Sequence, residues 1–178
     1  MTLCVNLFGG PGIGKSVFAG SVWTQLKKRH IRAELPREYA KDLIFEGRAA
    51  VLPDQIVVLG GQWDRLAQLA GKVDVIVNDS PVLLSSIYAS PDYPAAFHEM
   101  TAWCHRRLPS INYVLRRHEG PYEVVGRVQD EAAATRLDSD IRGLLDRLDL
   151  PYRIIDTSDA SVAAVTQEIS SRLLDQAA

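Results

Sequence analysis

A glycine-rich segment near the start of the chain constrains its fold more than any other feature of the sequence. The apolar run at residues 3–8 reads as a short buried strand, and it ends at Gly9-Gly10-Pro11-Gly12-Ile13-Gly14-Lys15-Ser16. From residue 15 to about 29, apolar residues recur at the spacing of a helix. The pattern G-x-x-x-x-G-K-[ST] between a strand and a helix is that of a phosphate-binding loop, or P-loop. The sequence therefore predicts a phosphate site at this junction.

Each part of the loop has a chemical role. Glycines let the backbone wrap a phosphate with its N–H groups, and the dipole of the following helix adds to the attraction. Lys15 can reach the β- and γ-phosphates, and the hydroxyl of Ser16 is a ligand for Mg²⁺. The motif predicts that residues 9–16 hold a nucleoside triphosphate, but it leaves the acceptor of the phosphoryl group open.

Strands and helices alternate along the rest of the chain, which is typical of an α/β fold with a parallel sheet. With 178 residues, the chain is long enough for one core, and we expect residues 1–178 to form a single P-loop domain. The expected architecture has three layers around a five-stranded parallel sheet. Further strands are predicted at residues 31–35, 73–77, 111–115 and 152–155, and further helices at residues 38–48, 53–70, 95–107, 130–148 and 159–175.

Composition limits the classes of protein to which this chain can belong. Hydrophobic residues make up 47% and charged residues 24%, which is typical of a globular protein and not of a disordered chain. The formal net charge of −2 gives no overall basic field of the kind found in many nucleic-acid binders. Positive charge is concentrated instead in residues 27–32 and 100–118. Helix ends would explain these two stretches, and so would contact with DNA phosphates.

The sequence shows neither a leader peptide nor a membrane-spanning run, and its two cysteines are too few for a disulfide framework. We therefore expect a cytoplasmic protein with no membrane partner. The sequence leaves the oligomeric state open.

Two acidic residues follow predicted strands at the end where open α/β sheets bind their ligands. Asp79 comes directly after the third strand and is a candidate second ligand for Mg²⁺ beside Ser16. The alternative is that Asp79 caps the turn before Pro81. Glu38 follows the second strand and could accept a proton from an attacking hydroxyl, unless it is only an acid favoured in the first turn of a helix.

A loop that starts after the fourth strand contains three arginines, Arg116, Arg117 and Arg127. Its two glycines and one proline indicate a short lid at about residues 116–130. Arginine brought over the γ-phosphate by such a lid would stabilise the transition state, although arginines also occupy surfaces for no catalytic reason. Lys15, Glu38, Asp79, Arg116 and Arg127 are thus the candidate catalytic residues.

Aromatic residues are sparse, yet four of them lie between the third and fourth strands. A base could stack on one or two of these rings, but aromatics at helical spacing more often belong to the core. The four are Tyr88, Tyr93, Phe97 and Trp103.

Three segments beyond the P-loop carry a resemblance to a known family. They are Arg-Glu-Tyr-Ala-Lys-Asp-Leu-Ile-Phe-Glu-Gly-Arg at 37–48, Asn-Asp-Ser-Pro-Val-Leu-Leu at 78–84 and Tyr-x-x-x-Gly-Arg-x-Gln at 122–129. Together with the P-loop they resemble the bacteriophage P-loop kinases related to thymidylate kinase. Among these, the chain is most similar to the 5-hydroxymethyluracil DNA kinases, and the likeness extends over nearly its whole length.

The resemblance implies ATP-dependent phosphorylation of the hydroxymethyl group of 5-hydroxymethyl-deoxyuridine in phage DNA, a step toward hypermodified thymidines. It also implies that Gly9 to Ser16 bind ATP and Mg²⁺ and that Glu38 and Asp79 match the acidic positions. Two positions depart from the pattern. Val17 stands where a second hydroxyl residue is frequent, and Asn78 stands where threonine is expected.

Two other functions share the same P-loop. One is a kinase of free nucleosides or nucleoside monophosphates, which would close over a small acceptor. The other is an ATPase switch that acts on a protein partner. The length of 178 residues counts against a ring-forming ATPase with an additional helical domain.

Overall fold

A single parallel sheet organises the chain. The computed structural model describes residues 1–117 and 131–177. Within these residues five strands pair in the order β2-β3-β1-β4-β5, and every pair is parallel. The predicted five-stranded parallel sheet of an α/β P-loop fold is confirmed. The strands are β1 (Leu3–Phe8), β2 (Ala33–Glu34), β3 (Val75–Asn78), β4 (Ser110–Leu115) and β5 (Arg153–Ile155).

Helices cover both faces of this sheet and give it three layers. Helices α1 and α7 pack on one face, and α3 to α6 contribute to the hydrophobic clusters on the other. A turn of 3₁₀ helix also lies at Ala49–Val51. The α-helices are α1 (Lys15–Lys28), α2 (Tyr39–Phe45), α3 (Gln55–Leu69), α4 (Leu84–Tyr88), α5 (Ala95–Arg106), α6 (Glu131–Arg147) and α7 (Asp159–Ala177).

The central strand β1 shows why the sequence forms a buried sheet. Leu3, Val5 and Leu7 point to the layer of α1 and α7, while Cys4 and Phe8 point to the opposite layer. Because helices cover both faces, both sets are buried, and the strand reads as a continuous apolar run. None of the helices in the described residues is both long and apolar enough to cross a membrane.

The structure differs from the sequence prediction at two elements. The strand expected at residues 31–35 is only two residues long, because β2 lies at the edge of the sheet and pairs with β3 alone. The short helix α4 was not predicted. It follows Pro81 as a five-residue helix with no sustained apolar period, which is the signal on which a sequence prediction depends.

Because every pair is parallel, the carboxyl ends of all five strands lie at the same end of the sheet. The P-loop follows β1 there, Glu38 follows β2, Asp79 follows β3 and Arg116 follows β4. The basic stretch 27–32 precedes β2, and Arg106 and Arg107 precede β4. These residues therefore lie at the amino ends of the strands, away from the P-loop. Two cations of the first stretch pair with acids nearby, Lys27 with Glu34 at 3.1 Å and Arg32 with Asp74 at 2.5 Å.

Two adjacent glycines in α3 have different surroundings. Helix α3 runs unbroken through Gly60 and Gly61, although glycine is unfavourable in a helix interior. A Cβ added at Gly61 would lie 2.4 Å from the ring of Tyr39, whereas a Cβ at Gly60 would meet nothing within 4 Å. Gly61 therefore lets the residue after Glu38 pack directly against α3.

This difference predicts opposite effects for the same substitution. We expect Gly60→Ala to stabilise the protein by about 0.5–1 kcal/mol, since alanine favours a helix interior. We expect Gly61→Ala to lower the free energy of unfolding by about 1–3 kcal/mol, because the Tyr39 ring must move. Urea unfolding of both variants measures the two values. Equal effects would show that Tyr39 does not pack closely on α3.

Candidate active site

The P-loop depends on glycines with left-handed backbone torsions. Gly9, Gly12 and Gly14 have φ angles of 147°, 80° and 90°, which strain any residue with a Cβ. A Cβ at Gly9 would also lie 2.9 Å from Cγ2 of Ile13, so the loop closes tightly on its own buried side chain. Helix α1 starts at Lys15, within the loop motif, with neither a side-chain cap nor an acidic residue in its first turn. Its first N–H groups are therefore suited to an anion.

Lys15 folds back over the loop. Its Nζ donates to the carbonyl oxygens of Gly9 at 2.7 Å and Gly10 at 3.0 Å. Burial lowers the pKa of Lys15, while the nearby carboxylates of Glu38, Asp79 and Asp138 oppose that shift. Three acids from separate segments of the chain thus act electrostatically on the ammonium group.

Glu38 occupies the position before the first turn of α2. Its side chain makes no capping hydrogen bond, so it does not act as a helix cap. Burial raises the pKa of Glu38, the charges of Asp79 and Asp42 raise it further, and Lys15 and Lys41 oppose the shift. A carboxylate with a raised pKa is a stronger base than an ordinary glutamate, which suits proton acceptance.

Asp79 lies directly after β3 and is buried. The turn that follows is capped by its neighbour, because Oδ1 of Asn78 accepts a hydrogen bond from the backbone N–H of Ser80 at 3.3 Å. Asn78, and not Asp79, therefore caps this turn. The Asp79 carboxylate interacts electrostatically with both Lys15 and Glu38.

Of the loop arginines, Arg117 contacts the P-loop. Its Nη1 donates to the carbonyl oxygen of Pro11 at 3.0 Å, and its Nε donates to Oδ2 of Asp138 at 2.9 Å. Arg116 is exposed, and its backbone N–H donates to the carbonyl oxygen of Ile155. Arg127 and most of the expected lid lie outside the described residues. The geometry therefore favours Arg117 over Arg116 as the arginine nearest the phosphates.

Asp138 of α6 is a site residue that the sequence did not indicate. Its Oδ1 accepts a hydrogen bond of 2.5 Å from the backbone N–H of Gly10, so a carboxylate sits on the P-loop itself. The contact joins residues 128 positions apart. Asp138 lies in an ordinary amphipathic helix, and no local motif distinguishes it from the exposed Asp140 two residues later.

The residues around the P-loop suit Mg²⁺ together with phosphate oxygens. Magnesium in phosphate sites takes oxygen ligands and commonly one or two carboxylates. The Ser16 hydroxyl at the start of α1 and the Asp79 carboxylate would supply such oxygens. Among the described residues, no cluster of three or more histidine, cysteine or acidic side chains forms a separate metal site.

The aromatic residues Tyr88, Tyr93, Phe97 and Trp103 differ in their burial, and Tyr88 is exposed. Phe97 is buried, and its ring centroid lies 4.6 Å from that of Tyr93. The Tyr93 hydroxyl accepts a hydrogen bond from the backbone N–H of Gln55 at 2.7 Å, at the start of α3. Trp103 is exposed and packs against Trp63, on the outer side of the helix layer. The core interpretation is therefore confirmed for Phe97.

The contact between Asp138 and the P-loop yields a prediction. The phosphates of ATP bring negative charge to the same amides and to Lys15, so the Asp138 carboxylate opposes their binding. We expect Asp138→Asn to bind a non-hydrolysable ATP analogue with Mg²⁺ about tenfold more tightly than the wild type, as for two like charges several ångströms apart. Isothermal titration calorimetry measures the affinity, with Asp140→Asn as the control. Weaker binding by Asp138→Asn would contradict the prediction.

Comparison with solved structures places this geometry among known folds. The structure of the NadR protein in complex with NR superposes with a TM-score of 0.68 at 15% sequence identity, over 93% of this chain and 51% of the NadR chain. This chain therefore spans about half the length of NadR. The structure of APE1195 superposes with a TM-score of 0.50 at 19% identity, over 97% of each chain. At these identities the likeness concerns the fold.

Comparison with protein families and curated proteins gives the second finding. No curated protein matches the sequence. A family described as an AAA domain matches residues 4–162, from β1 to the start of α7. Such domains bind nucleotides through a P-loop. Since the match includes all five strands and the loop after β1, the chain belongs to the AAA-domain family of P-loop nucleotide-binding proteins.

Proposed function

We propose that this protein is an ATP-dependent kinase that transfers the γ-phosphoryl group to an alcohol. The observation that carries the proposal is the position of Glu38, a half-buried carboxylate of raised pKa that interacts electrostatically with Lys15 and Asp79. A base on the acceptor side of a P-loop serves a hydroxyl that must lose its proton. Three segments far apart in sequence supply these groups.

The reaction follows from the roles of these side chains. The alcohol oxygen attacks the γ-phosphorus in line, and its O–P bond forms as the bond to the β,γ-bridging oxygen breaks. Glu38 takes the proton of the alcohol, and the products are ADP and a phosphate ester. Lys15, the loop amides and Arg117 stabilise negative charge on the phosphates. Ser16 and Asp79 would hold Mg²⁺, which would supply positive charge to offset the negative charge of the phosphates.

The specific acceptor that we propose is the hydroxymethyl group of 5-hydroxymethyl-deoxyuridine in DNA. Support comes from the segments that carry the resemblance to phage DNA kinases. Segment 37–48 supplies Glu38 and helix α2, and segment 78–84 supplies Asp79. Two of the segments that resemble those kinases thus supply the two acids to which this proposal gives roles in the transfer.

A kinase of free nucleosides or nucleoside monophosphates is the second candidate. Affinity for DNA depends on cations that neutralise phosphates. The basic stretch 27–32 and the pair Arg106 and Arg107 lie at the edge of the sheet away from the P-loop. Segment 37–48 also balances three basic residues with three acidic ones. Both observations favour a small acceptor.

Radiolabelled ATP distinguishes these candidates. We expect label from γ-³²P-ATP to appear in DNA that contains 5-hydroxymethyluracil and not in matched DNA that contains thymine. Label on free nucleosides or nucleotides alone would support the second candidate. Label released only as inorganic phosphate, with every acceptor tested, would identify an ATPase and exclude the kinase.

Substitutions at the three charged groups separate their roles. We expect Lys15→Ala to reduce transfer by about 10²–10³-fold, because it removes a cation from the developing phosphate charge. Asp79→Asn should be partly rescued by excess Mg²⁺, and Glu38→Gln should not. A magnesium titration of initial rates tests this difference. Rescue of Glu38→Gln alone would reverse the two assignments.

The raised pKa of Glu38 predicts the pH dependence of transfer. A base acts only when deprotonated, so the rate should fall as the pH is lowered through the pKa of Glu38. Since burial raises that pKa, the fall should occur at a higher pH than for an ordinary glutamate. The pH profile of kcat measures this limb, and Glu38→Gln should lack it. An unchanged limb in Glu38→Gln would assign it to another group.

A further inference from the structure

A row of buried amide side chains crosses the sheet beneath the site. Asn6 of β1 lies in register with Asn78 of β3 on one side and with Asn112 of β4 on the other. Nδ2 of Asn78 donates to Oδ1 of Asn6 at 2.9 Å, and Nδ2 of Asn6 donates to Oδ1 of Asn112 at 3.1 Å. All three side chains are buried, so each amide depends on its neighbour for hydrogen bonds.

Gln62 of α3 connects this amide row to the segments that carry Glu38 and Asp79. Its Oε1 accepts a hydrogen bond from the backbone N–H of Tyr39 at 2.9 Å. Its Nε2 lies 3.5 Å from Oδ1 of Asn78, as a long hydrogen bond. Tyr39 directly follows Glu38, and Asn78 directly precedes Asp79. One buried side chain thus contacts the chain neighbour of each acid.

Arg65, one helical turn after Gln62, binds the peptide group that precedes Glu38. Its Nη1 donates to the carbonyl oxygen of Arg37 at 2.8 Å, and its Nη2 pairs with Asp42 at 2.8 Å. The peptide groups before and after Glu38 are therefore both bound to one face of α3. This arrangement holds the start of α2 in place without using the Glu38 carboxylate itself.

We propose that Gln62 is a positioning residue that fixes Glu38 relative to Asp79 for phosphoryl transfer. The proposal rests on the proposed kinase function for the roles of these two acids. Glutamine suits this task because its amide both accepts and donates a hydrogen bond, toward Tyr39 and Asn78 respectively. Methionine is of similar length but can make neither hydrogen bond strongly. Glutamate can accept from Tyr39 but cannot donate to Asn78.

The test compares the same substitution at two buried glutamines of α3. Gln62→Met removes both contacts. Gln55→Met is the matched control, because Gln55 is buried in the same helix and donates to the carbonyl oxygen of Leu52, away from both acids. We expect Gln62→Met to lower kcat about 10–100-fold, as for a misplaced catalytic group, with the affinity for ATP unchanged. Gln55→Met should stay within about twofold of the wild type in kcat.

A second readout does not depend on any acceptor. Carboxyl ¹³C NMR titration gives the pKa of Glu38 directly. In Gln62→Met we expect this pKa to fall toward the ordinary glutamate value, because a released Glu38 becomes more hydrated, while Gln55→Met keeps it raised. If Gln62→Met does not fold, Gln62→Asn replaces it, since the shorter amide cannot bridge Tyr39 and Asn78 and adds no charge beside Glu38.

The two readouts separate failure of this proposal from failure of the kinase function. Equal pKa values for Glu38 in the Gln62 and Gln55 variants would overturn the role of Gln62. A wild type that phosphorylates no acceptor, with Glu38 still displaced in Gln62→Met, would overturn the kinase function alone. A fall in kcat that is the same in both variants would show general destabilisation and also overturn the role.

Discussion

Parallel pairing of β1 between β3 and β4 is the constraint on which the rest of the site depends. Because all strands run the same way, the segments that follow them meet at one edge, although they are far apart in sequence. The P-loop follows the central strand, with Glu38 and Asp79 on one side and the pair of Arg117 and Asp138 on the other. Without this register, the side chains that follow β2, β3 and β4 would not lie beside the glycine-rich loop.

Burial and neighbouring charges at that edge explain why the pKa of Glu38 differs from that of a glutamate on the surface. Burial disfavours the charged forms of both Lys15 and Glu38, and their mutual attraction partly restores them. Asp138 adds a third carboxylate that bonds to the loop and to Arg117. Nucleotide phosphates must therefore enter a site in which Lys15 and Arg117 each already have an anionic neighbour, and the balance between these charges sets the affinity.

Local patterns predicted more of the fold than of the site. The P-loop, the order of strands and helices and the parallel sheet follow from runs and periods that neighbouring residues encode. Asp138 and Gln62 could not be predicted in this way, since each acts through contacts with segments distant in sequence. The choice between Arg116 and Arg117 could not be predicted for the same reason. Adjacent residues after a strand point in different directions, and only packing against α6 shows that Arg117 faces the loop.

The central claim is that the γ-phosphoryl group passes to an alcohol and not to water. Mass spectrometry of nucleosides tests it most directly, after digestion of DNA that contains 5-hydroxymethyluracil and has been incubated with ATP, Mg²⁺ and the protein. The account predicts a new nucleoside heavier than 5-hydroxymethyl-deoxyuridine by one phosphoryl group, formed in step with ADP. ADP and inorganic phosphate produced in equal amounts, with this nucleoside and added free nucleosides all unmodified, would contradict it.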